Sequence, residues 1–385
     1  MFWIYVAFIG FVLFMLALDL GVLHRKLHVV SVKEALSWSA LVIALGLAFS
    51  IVVYYAYENH WMGLGLQGDP IDAIVEGEDG AEGHRPVVTG STAAIRYITA
   101  YIVEESLSVD NIFVMVMIFR FFGVPGIYQH RVLFWGILGA LMMRGAMIAL
   151  GATLIAQFNW LLYFFGAFLI FTAYKMLFMD SEDADPSTNF VVRLTRKLFP
   201  VTDRYHGKNF LVRAGSEQAN MSATPEAARE TDHAMLRAKP GTLMLTPLAL
   251  ALVIVETTDL IVAVDSIPAV FAVTADPFLV FTSNVFAILG LRSLYFALGG
   301  MMDKFRYLKV SLAFILAFVG AKMLGAHWLH EWMGHEYKHL LNFIMLGVIM
   351  GILAIGMAAS LIADARDGGK HGKHDEEEKE LEKTH

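Results

Sequence analysis

The feature that most constrains the fold is a series of apolar runs about 20 residues long, the length that crosses a bilayer as an α-helix. Hydrophobic residues make up 57% of the chain and charged residues only 17%, against about a quarter in soluble proteins. The sequence therefore predicts an all-α membrane protein with nine transmembrane helices. The predicted spans are 2–23, 36–57, 94–119, 132–155, 159–179, 242–273, 278–299, 307–327 and 340–363.

The positions of lysine and arginine predict the orientation, because these residues accumulate in cytoplasmic loops. They are frequent in the first, third, fifth and seventh loops and in the tail, and sparse in the alternate loops. We therefore expect the N-terminus outside and the C-terminus in the cytoplasm. The first apolar run has no basic segment and no small-residue cleavage site, so we interpret it as a retained helix.

Two of the predicted spans each contain three carboxylates, which are costly at membrane depth and usually functional. The first contains "YIVEESLSVDNIFVMVMIF" at 101–119, and the second contains "VIVETTDLIVAVDSIPAVFAV" at 253–273. A purely structural role, in which buried bases neutralise the acids and hold helices together, explains a single acid better than a duplicated pair. The acids of the two spans are Glu104, Glu105, Asp110, Glu256, Asp259 and Asp265.

An internal repeat relates these two spans and the two spans that follow each of them. When Asp110-Asn111 is aligned with Asp265-Ser266, Glu104 falls on Asp259 with the same six-residue spacing. The next two spans of each unit then match through four bases, which are Arg144, Lys175, Arg292 and Lys322. Because each unit has three helices, the second enters the membrane from the opposite side. Inverted repeats of this kind are typical of transporters and place the site at the repeat interface.

The repeats and loops together predict six parts of the chain. These are two N-terminal helices with an acidic external loop (1–93), repeat 1 (94–179), a cytoplasmic loop (180–241), repeat 2 (242–327), an external His-rich rim with the last helix (328–363) and a disordered cytoplasmic tail (364–385).

The repeated acids have the chemistry of a cation site. On a continuous helix, six residues cover about 9 Å and turn about 120°, so either each helix is broken or acids pair between repeats. Asn111 and Ser266 offer neutral oxygens, and Pro268 frees a backbone carbonyl. Oxygen donors favour Mn²⁺, Mg²⁺ or Ca²⁺. We expect the four bases to balance charge when the site is empty, and released carboxylates to exchange protons.

Other motifs favour different functions less well. The chain has no cysteine, which excludes thiolate metal sites and cysteine catalysis, and no basic stripe that would bind nucleic acid. "GLGLQG" at 63–68 has no βαβ context for a nucleotide site. "HEYKH" fits the zinc-protease motif, although its interfacial setting favours packing or an outer vestibule that binds metal. The histidines of this rim are His327, His330, His335 and His339.

The quoted motifs and the "ALDLGVLHR" start resemble the TerC/Alx family of bacterial integral membrane proteins over about residues 10–360. The resemblance implies manganese export and homeostasis, with an association with tellurium resistance. It implies a multi-pass protein of the bacterial inner membrane that is not an enzyme. It also implies that Glu104, Asp110, Asp259 and Asp265 form the metal site, with Glu105 and Glu256 adjacent and with Asp19 matching a further family acid.

The sequence therefore predicts an inner-membrane exporter of Mn²⁺ that works by alternating access, coupled to protons. We expect its partners to be the divalent ion, protons, the lipid bilayer and a protein partner in secretion or metal delivery, without an organic cofactor or nucleic acid. Three alternatives remain open at this point: export of Ca²⁺ or another small substrate, a non-transporting metal-delivery or stress-resistance protein, and a membrane zinc protease at "HEYKH".

Overall fold

The computed structural model describes residues 2–18, 32–71, 87–158, 160–179, 190–216, 232–299, 307–333 and 338–382. Side chains are described within these ranges except at 32, 190–191, 326–333, 338–341 and 365–382. Asp19 and the four histidines of the predicted outer rim (His327, His330, His335 and His339) therefore lie outside the described side chains.

Nine long helices and two short ones make up most of this structure. The first five long helices are α1 (Phe2–Leu18), α2 (Val32–Glu58), α3 (Gly90–Phe122), α4 (Gly126–Gln157) and α5 (Leu161–Phe178). The short helices are α6 (Phe190–Leu198) and α7 (His233–Arg237). The remaining long helices are α8 (Pro247–Phe271), α9 (Pro277–Leu298), α10 (Leu308–Met333) and α11 (Lys338–Glu382).

The lengths and composition of these helices are those of a polytopic membrane protein. Among the described residues, seven helices are long and apolar enough to cross a bilayer, namely α2, α4, α5 and α8 to α11. α1 has only 17 residues, and α3 carries three carboxylates in its central part. The chain is therefore an all-α membrane protein. A spanning role for α1 and α3, and the predicted orientation, stay predictions.

Local sequence signals set the ends of the two acid-bearing helices. Thr89 caps α3 by accepting a hydrogen bond from Thr92 N at 3.4 Å, and α3 ends at Gly123, whose positive φ of 60° favours glycine. Thr246 caps α8 in the same way through Ala249 N, with Pro247 in the first turn. Both helices run without a break through their acids, so the alternative of a broken helix at these positions is excluded.

Every helix of one predicted repeat contacts at least one helix of the other. α3 contacts α8 and α9, α4 contacts α8 and α9, and α5 contacts α10. The α5–α10 contact is close, since a Cβ added at Gly320 would lie 2.7 Å from the carbonyl oxygen of Gly166. α9 lies at the centre of the bundle, because 83% of the residues in its most apolar 18-residue stretch are buried, compared with 22% for α2.

The segment between α5 and α8 forms a small folded unit. β1 (Leu211–Arg213) pairs with β2 (Leu243–Leu245) in an antiparallel sheet, and Val212, Ala214 and Met244 pack together beside it. The same segment contains α6, and neither this helix nor the sheet is part of the cytoplasmic loop as described in the sequence analysis. α11 continues as a helix to Glu382, although the charge run from 364 led us to expect a disordered tail.

Candidate ion site

The centre of the bundle contains an arginine bridged to two carboxylates. Arg144 of α4 donates from Nε and Nη2 to the two oxygens of Asp259 on α8, at 3.2 and 2.9 Å. Its Nη1 donates to Glu104 Oε1 on α3, which also accepts a hydrogen bond from Ser266 Oγ at 3.4 Å. The exposed fractions of the three charged side chains are only 1% for Arg144, 1% for Glu104 and 5% for Asp259.

This triad joins the two predicted repeats through one side chain. Glu104 and Arg144 come from repeat 1, and Asp259 comes from repeat 2. The fork of the guanidinium matches a carboxylate with two parallel bonds, which fixes the relative positions of α4 and α8. Two carboxylates and one guanidinium leave a formal charge of about −1 in a setting of low dielectric. The triad therefore remains attractive to a cation.

Asp110 and Asp265 form a second group that is more accessible than the triad. Both are half-buried, and Asp265 Oδ1 accepts a hydrogen bond from Thr172 of α5 at 3.2 Å. Asp110 interacts electrostatically with Lys309 and with Asp265, and Asp265 interacts with Lys175. The third helices of both repeats, α5 and α10, thus supply a lysine that faces this pair.

The structure divides the predicted metal ligands rather than gathering them. Among the described residues, no group of three or more acidic or histidine side chains is close enough to hold a metal ion. The reason is the guanidinium of Arg144, which lies between the carboxylates of Glu104 and Asp259. One site containing all of the predicted acids is therefore not formed in this conformation.

Several buried oxygens on α3 and α8, the helices that carry Glu104 and Asp259, have no hydrogen-bond donor within the described part of the chain. They are Glu104 Oε2, Glu105 Oε1 and Oε2, Ser108 Oγ, Asn111 Oδ1 and Glu256 Oε2. Buried polar atoms are almost always paired, so these oxygens are available to a cation, a proton or a water molecule. Because carboxylate and amide oxygens dominate the set, its chemistry suits a hard cation.

Glu105 and Glu256 face different neighbours. Consecutive residues on a helix point about 100° apart, so Glu105 turns away from the triad. It lies against α9, where a Cβ added at Gly290 would be 3.4 Å from Glu105 Oε1. Glu256 lies against α4 at Gly139, where any side chain would overlap with its carboxylate. Glu256 is therefore beside the triad, whereas Glu105 is on another side of α3.

Two of the other predicted bases, Arg292 and Lys322, contact groups outside the triad. Arg292 Nη2 lies 2.9 Å from His130 Nδ1, whose ring stacks on Phe296 at 4.1 Å between centroids. Lys322 Nζ donates to the carbonyl oxygen of Ala272 at 2.9 Å, at the C-terminal end of α8. The repeat positions match in sequence, but Arg144 and Arg292 do not have the same partners.

Sequence reasoning missed a buried polar network at the end of the bundle that the charge rule assigns to the outside. Asp69 is fully buried and accepts hydrogen bonds from Arg96 Nη1 at 2.9 Å, from Thr274 Oγ1, and from the backbone N–H groups of Ile71 and Ala275. The sequence analysis predicted only an acidic external loop in this region. The "GDP" turn around Asp69 was the available signal.

Asp276 extends this network to α9 and α2. Its carboxylate caps α9 through the N–H groups of Phe278 and Leu279, and it accepts a hydrogen bond from Tyr57 Oη at 2.7 Å. Burial, together with the nearby charge of Asp69, raises the pKa of Asp276 to about 6. The network joins α2, α3 and the α8–α9 turn, so its role is to hold one end of the bundle together.

The comparisons with known proteins identify the family. The model of the integral membrane protein TerC family matches residues 89–368, which contain both acid-bearing helices. The chain belongs to the TerC family. The resemblance found in the sequence is thereby confirmed.

Relatives named in other bacteria share most of the chain. A membrane protein of Myxococcus xanthus is 41% identical over 93% of this chain and 92% of its own length. A protein of Salmonella typhi named Alx, which is described as a proposed membrane-bound redox modulator, is 39% identical over 89% of both chains. Its Escherichia coli K12 counterpart is 37% identical over 89% of this chain and 88% of its own. No solved structure matches the chain.

Proposed function

We propose that the chain exports a divalent cation, Mn²⁺ above all, across the inner membrane of a bacterium. The observation that carries this proposal is the set of buried oxygens on α3 and α8 that are unpaired within the described residues, on the two helices that supply Glu104 and Asp259 to the triad with Arg144. Intramembrane carboxylates mark substrate and ion pathways and proton relays. Mn²⁺ is the substrate that the TerC resemblance implies, and Ca²⁺ is the main competitor because it uses the same donors.

The donor set supports a divalent ion over softer or singly charged ions. Asp110, Asp265 and Asn111 offer oxygens, as do the acids of the triad, and the chain has no cysteine that would favour zinc or copper through thiolates. Several negative charges in a low-dielectric site attract a doubly charged ion most strongly. When the ion leaves, carboxylates that lose their counter-charge bind protons, which provides a route for proton exchange.

The packing of the helices supports alternating access of two inverted repeats. A two-fold axis that exchanges the repeats would convert the α3–α9 contact into the α4–α8 contact, and both contacts occur. The same axis would leave the α3–α8, α4–α9 and α5–α10 contacts in place, and these occur as well. Rocking of one unit against the other would then open the carboxylates to each side in turn.

Transport assays on purified protein test this function. We would reconstitute it in sealed vesicles with an internal metal-sensitive dye and add Mn²⁺, Ca²⁺, Mg²⁺ and Zn²⁺ in turn, with and without a pH gradient. We expect gradient-dependent Mn²⁺ flux, and at least about a tenfold loss in Asp110→Asn and Asp265→Asn, because each loses a charged ligand. Asp203→Asn, an exposed carboxylate of the segment between α5 and α8, is the control.

Two results would contradict the proposal. If Asp110→Asn and Asp265→Asn are made at normal levels and transport Mn²⁺ as fast as the parent, these residues do not form the transport site. Folded protein without flux of any cation would favour the role in the names of its Alx relatives, a membrane-bound redox modulator. Because the chain has no cysteine, such a role would have to act without its own thiols. A thiol–disulfide reporter in cells that lack the protein would then be the next measurement.

A further inference from the structure

We propose that Arg144 is a tethered competitor of the transported ion, which must displace its guanidinium from Asp259, and that Glu256 receives the guanidinium once it is released. This inference rests on the proposed function, because it describes how the same carboxylates admit a divalent ion. It assigns Glu256 to the arginine rather than to the metal.

The occupied position of Arg144 shows why displacement is needed. Its guanidinium makes two bonds to Asp259 and one to Glu104, so the space between these carboxylates is filled. Glu104 Oε2 stays unpaired among the described residues. An ion that binds both carboxylates must take the position of the guanidinium. Arg144 is almost fully buried, so water cannot replace its bonds when it moves.

Glu256 is placed to accept the displaced guanidinium. It precedes Asp259 by three residues, so both acids project from the same face of α8. Its carboxylate lies against Gly139 of α4, five residues before Arg144, which is about 7.5 Å along the helix axis and about 140° around it. Side chains of a helix lean towards its N-terminus, so Arg144 leans in the direction of Gly139. Glu256 Oε2 is buried without a donor within the described residues.

A small cavity marks the route of this movement. A small cavity between α4 and α8 is lined by Glu256 and Asp259 on one side and by Gly136 and Ala140 on the other. The small residues of α4 keep its backbone close to α8, but the cavity has a volume of only about 10 Å³, room for about one water molecule. Met115, Leu133 and Ile288 also line it, so the guanidinium must push side chains apart as it moves from Asp259 to Glu256. A transfer over this distance changes rotamers of Arg144 and leaves both helices intact.

The charges make Arg144 a filter against monovalent cations. A monovalent ion carries no more charge than the guanidinium and cannot reproduce its three directed hydrogen bonds. A divalent ion doubles the attraction to the two carboxylates, which offsets the cost of displacing the arginine. Competition with the singly charged guanidinium of Arg144 therefore selects divalent over monovalent ions. Movement of Arg144 off Asp259 also releases the link between the two repeats, which connects binding to rocking.

Binding and flux of Mn²⁺ should respond in opposite directions when Arg144 is replaced. We would measure MnCl₂ binding by calorimetry to the purified full chain at pH 8, with and without 0.5 M KCl as a test concentration, and flux in vesicles. For Arg144→Gln we expect Mn²⁺ affinity to rise about tenfold, equivalent to about 1.4 kcal/mol, with new competition by K⁺ and at least tenfold slower flux. Arg131→Gln, the same change elsewhere on α4, should leave affinity and flux unchanged.

Outcomes for Arg144 separate this inference from the proposed function. If the parent binds Mn²⁺ and folded Arg144→Gln binds it equally or more weakly, the competitor role is refuted and the exporter remains. If the parent neither binds nor transports Mn²⁺, both fail together. If Arg144→Gln does not fold, Arg144→Lys is the second variant, because it keeps the charge and loses the two parallel bonds of the guanidinium. We then expect a smaller rise in Mn²⁺ affinity. An unchanged affinity refutes the competitor role of Arg144.

A double-mutant cycle tests the position of Glu256. Glu256→Gln alone should weaken Mn²⁺ binding about tenfold, because the displaced guanidinium has no acceptor. In the Arg144→Gln background the same change should have no further effect, because no guanidinium needs a place. Weaker binding in that background would show that Glu256 is a direct ligand of the metal and would overturn its role as the receiver.

Discussion

Removal of Arg96 tests whether the buried network around Asp69 holds one end of the bundle. The Asp69 carboxylate has 0% exposed surface, and among the described residues it forms an ion pair with Arg96, whose side chain is 8% exposed. Its other donors are neutral, and a second carboxylate, Asp276, lies in the same network. Arg96→Met keeps the length of the side chain and leaves the charge of Asp69 buried without its arginine.

The expected loss follows from the cost of breaking a buried ion pair on one side, which is about 3–5 kcal/mol. We expect Arg96→Met to lower the free energy of unfolding by that amount in SDS titrations of protein in mixed micelles. Adding Asp69→Asn should recover at least about 2 kcal/mol, because Asn keeps an acceptor for the N–H groups of Ile71 and Ala275 and removes the stranded charge.

Two results would refute this reasoning. A free energy of unfolding for Arg96→Met within about 1 kcal/mol of the parent would mean that the carboxylate is not a buried charge in solution. A double variant as unstable as Arg96→Met alone would mean that the loss comes from packing of the arginine stem. Mn²⁺ affinity of either variant at a temperature where it is folded should equal that of the parent.

Two further predictions concern stability away from the ion site. Burial alone would raise the pKa of Asp232, but hydrogen bonds from Met235 N, His206 and Asp203 N lower this pKa below its ordinary value. The contribution of Asp232 to the stability of its segment is therefore complete above about pH 4 and is lost as the pH falls. Limited proteolysis of the segment between α5 and α8 should therefore accelerate below about pH 4. Asp232→Asn should be cleaved fast at every pH. An identical pH profile in parent and variant would contradict this prediction. Gly320→Val, placed where α10 meets α5, should cost about 1–3 kcal/mol by overpacking, and thermal unfolding that matches the parent would show that this contact is loose.

The membrane class and the positions of the long helices could be predicted because they depend on local composition. An apolar run long enough to cross a bilayer has few alternatives to a helix, since unpaired backbone groups are too costly in lipid. The predicted span at 94–119 lies within α3, and that at 278–299 nearly coincides with α9. Capping by Thr89 and Thr246 shifts the ends by a few residues, which hydropathy alone does not detect.

Contacts between distant residues were the part that local patterns could not supply. The repeat alignment makes Arg144 and Arg292 equivalent, yet one lies between two carboxylates and the other lies beside His130. The same alignment groups Asp110 and Asp265 with Glu104 and Asp259, whereas the structure separates them by exposure and by partners. Which acid meets which base depends on the rotation of each helix in the bundle, a tertiary property.

The unequal number of charges in the triad explains how one cluster can serve both stability and transport. A bundle with two buried carboxylates and no base would be strained by unpaired charge, and one with two bases would be neutral and would not attract a cation. A single arginine between acids from different repeats holds the helices together while the ion is absent and leaves a net negative charge for the ion to meet. If Arg144 and Glu104 were both replaced by Gln, the remaining carboxylate of Asp259 would lose its partner. We therefore expect the double variant to fold less stably than the parent and to bind Mn²⁺ no more tightly, because the gain from removing the competitor is offset by the lost ligand.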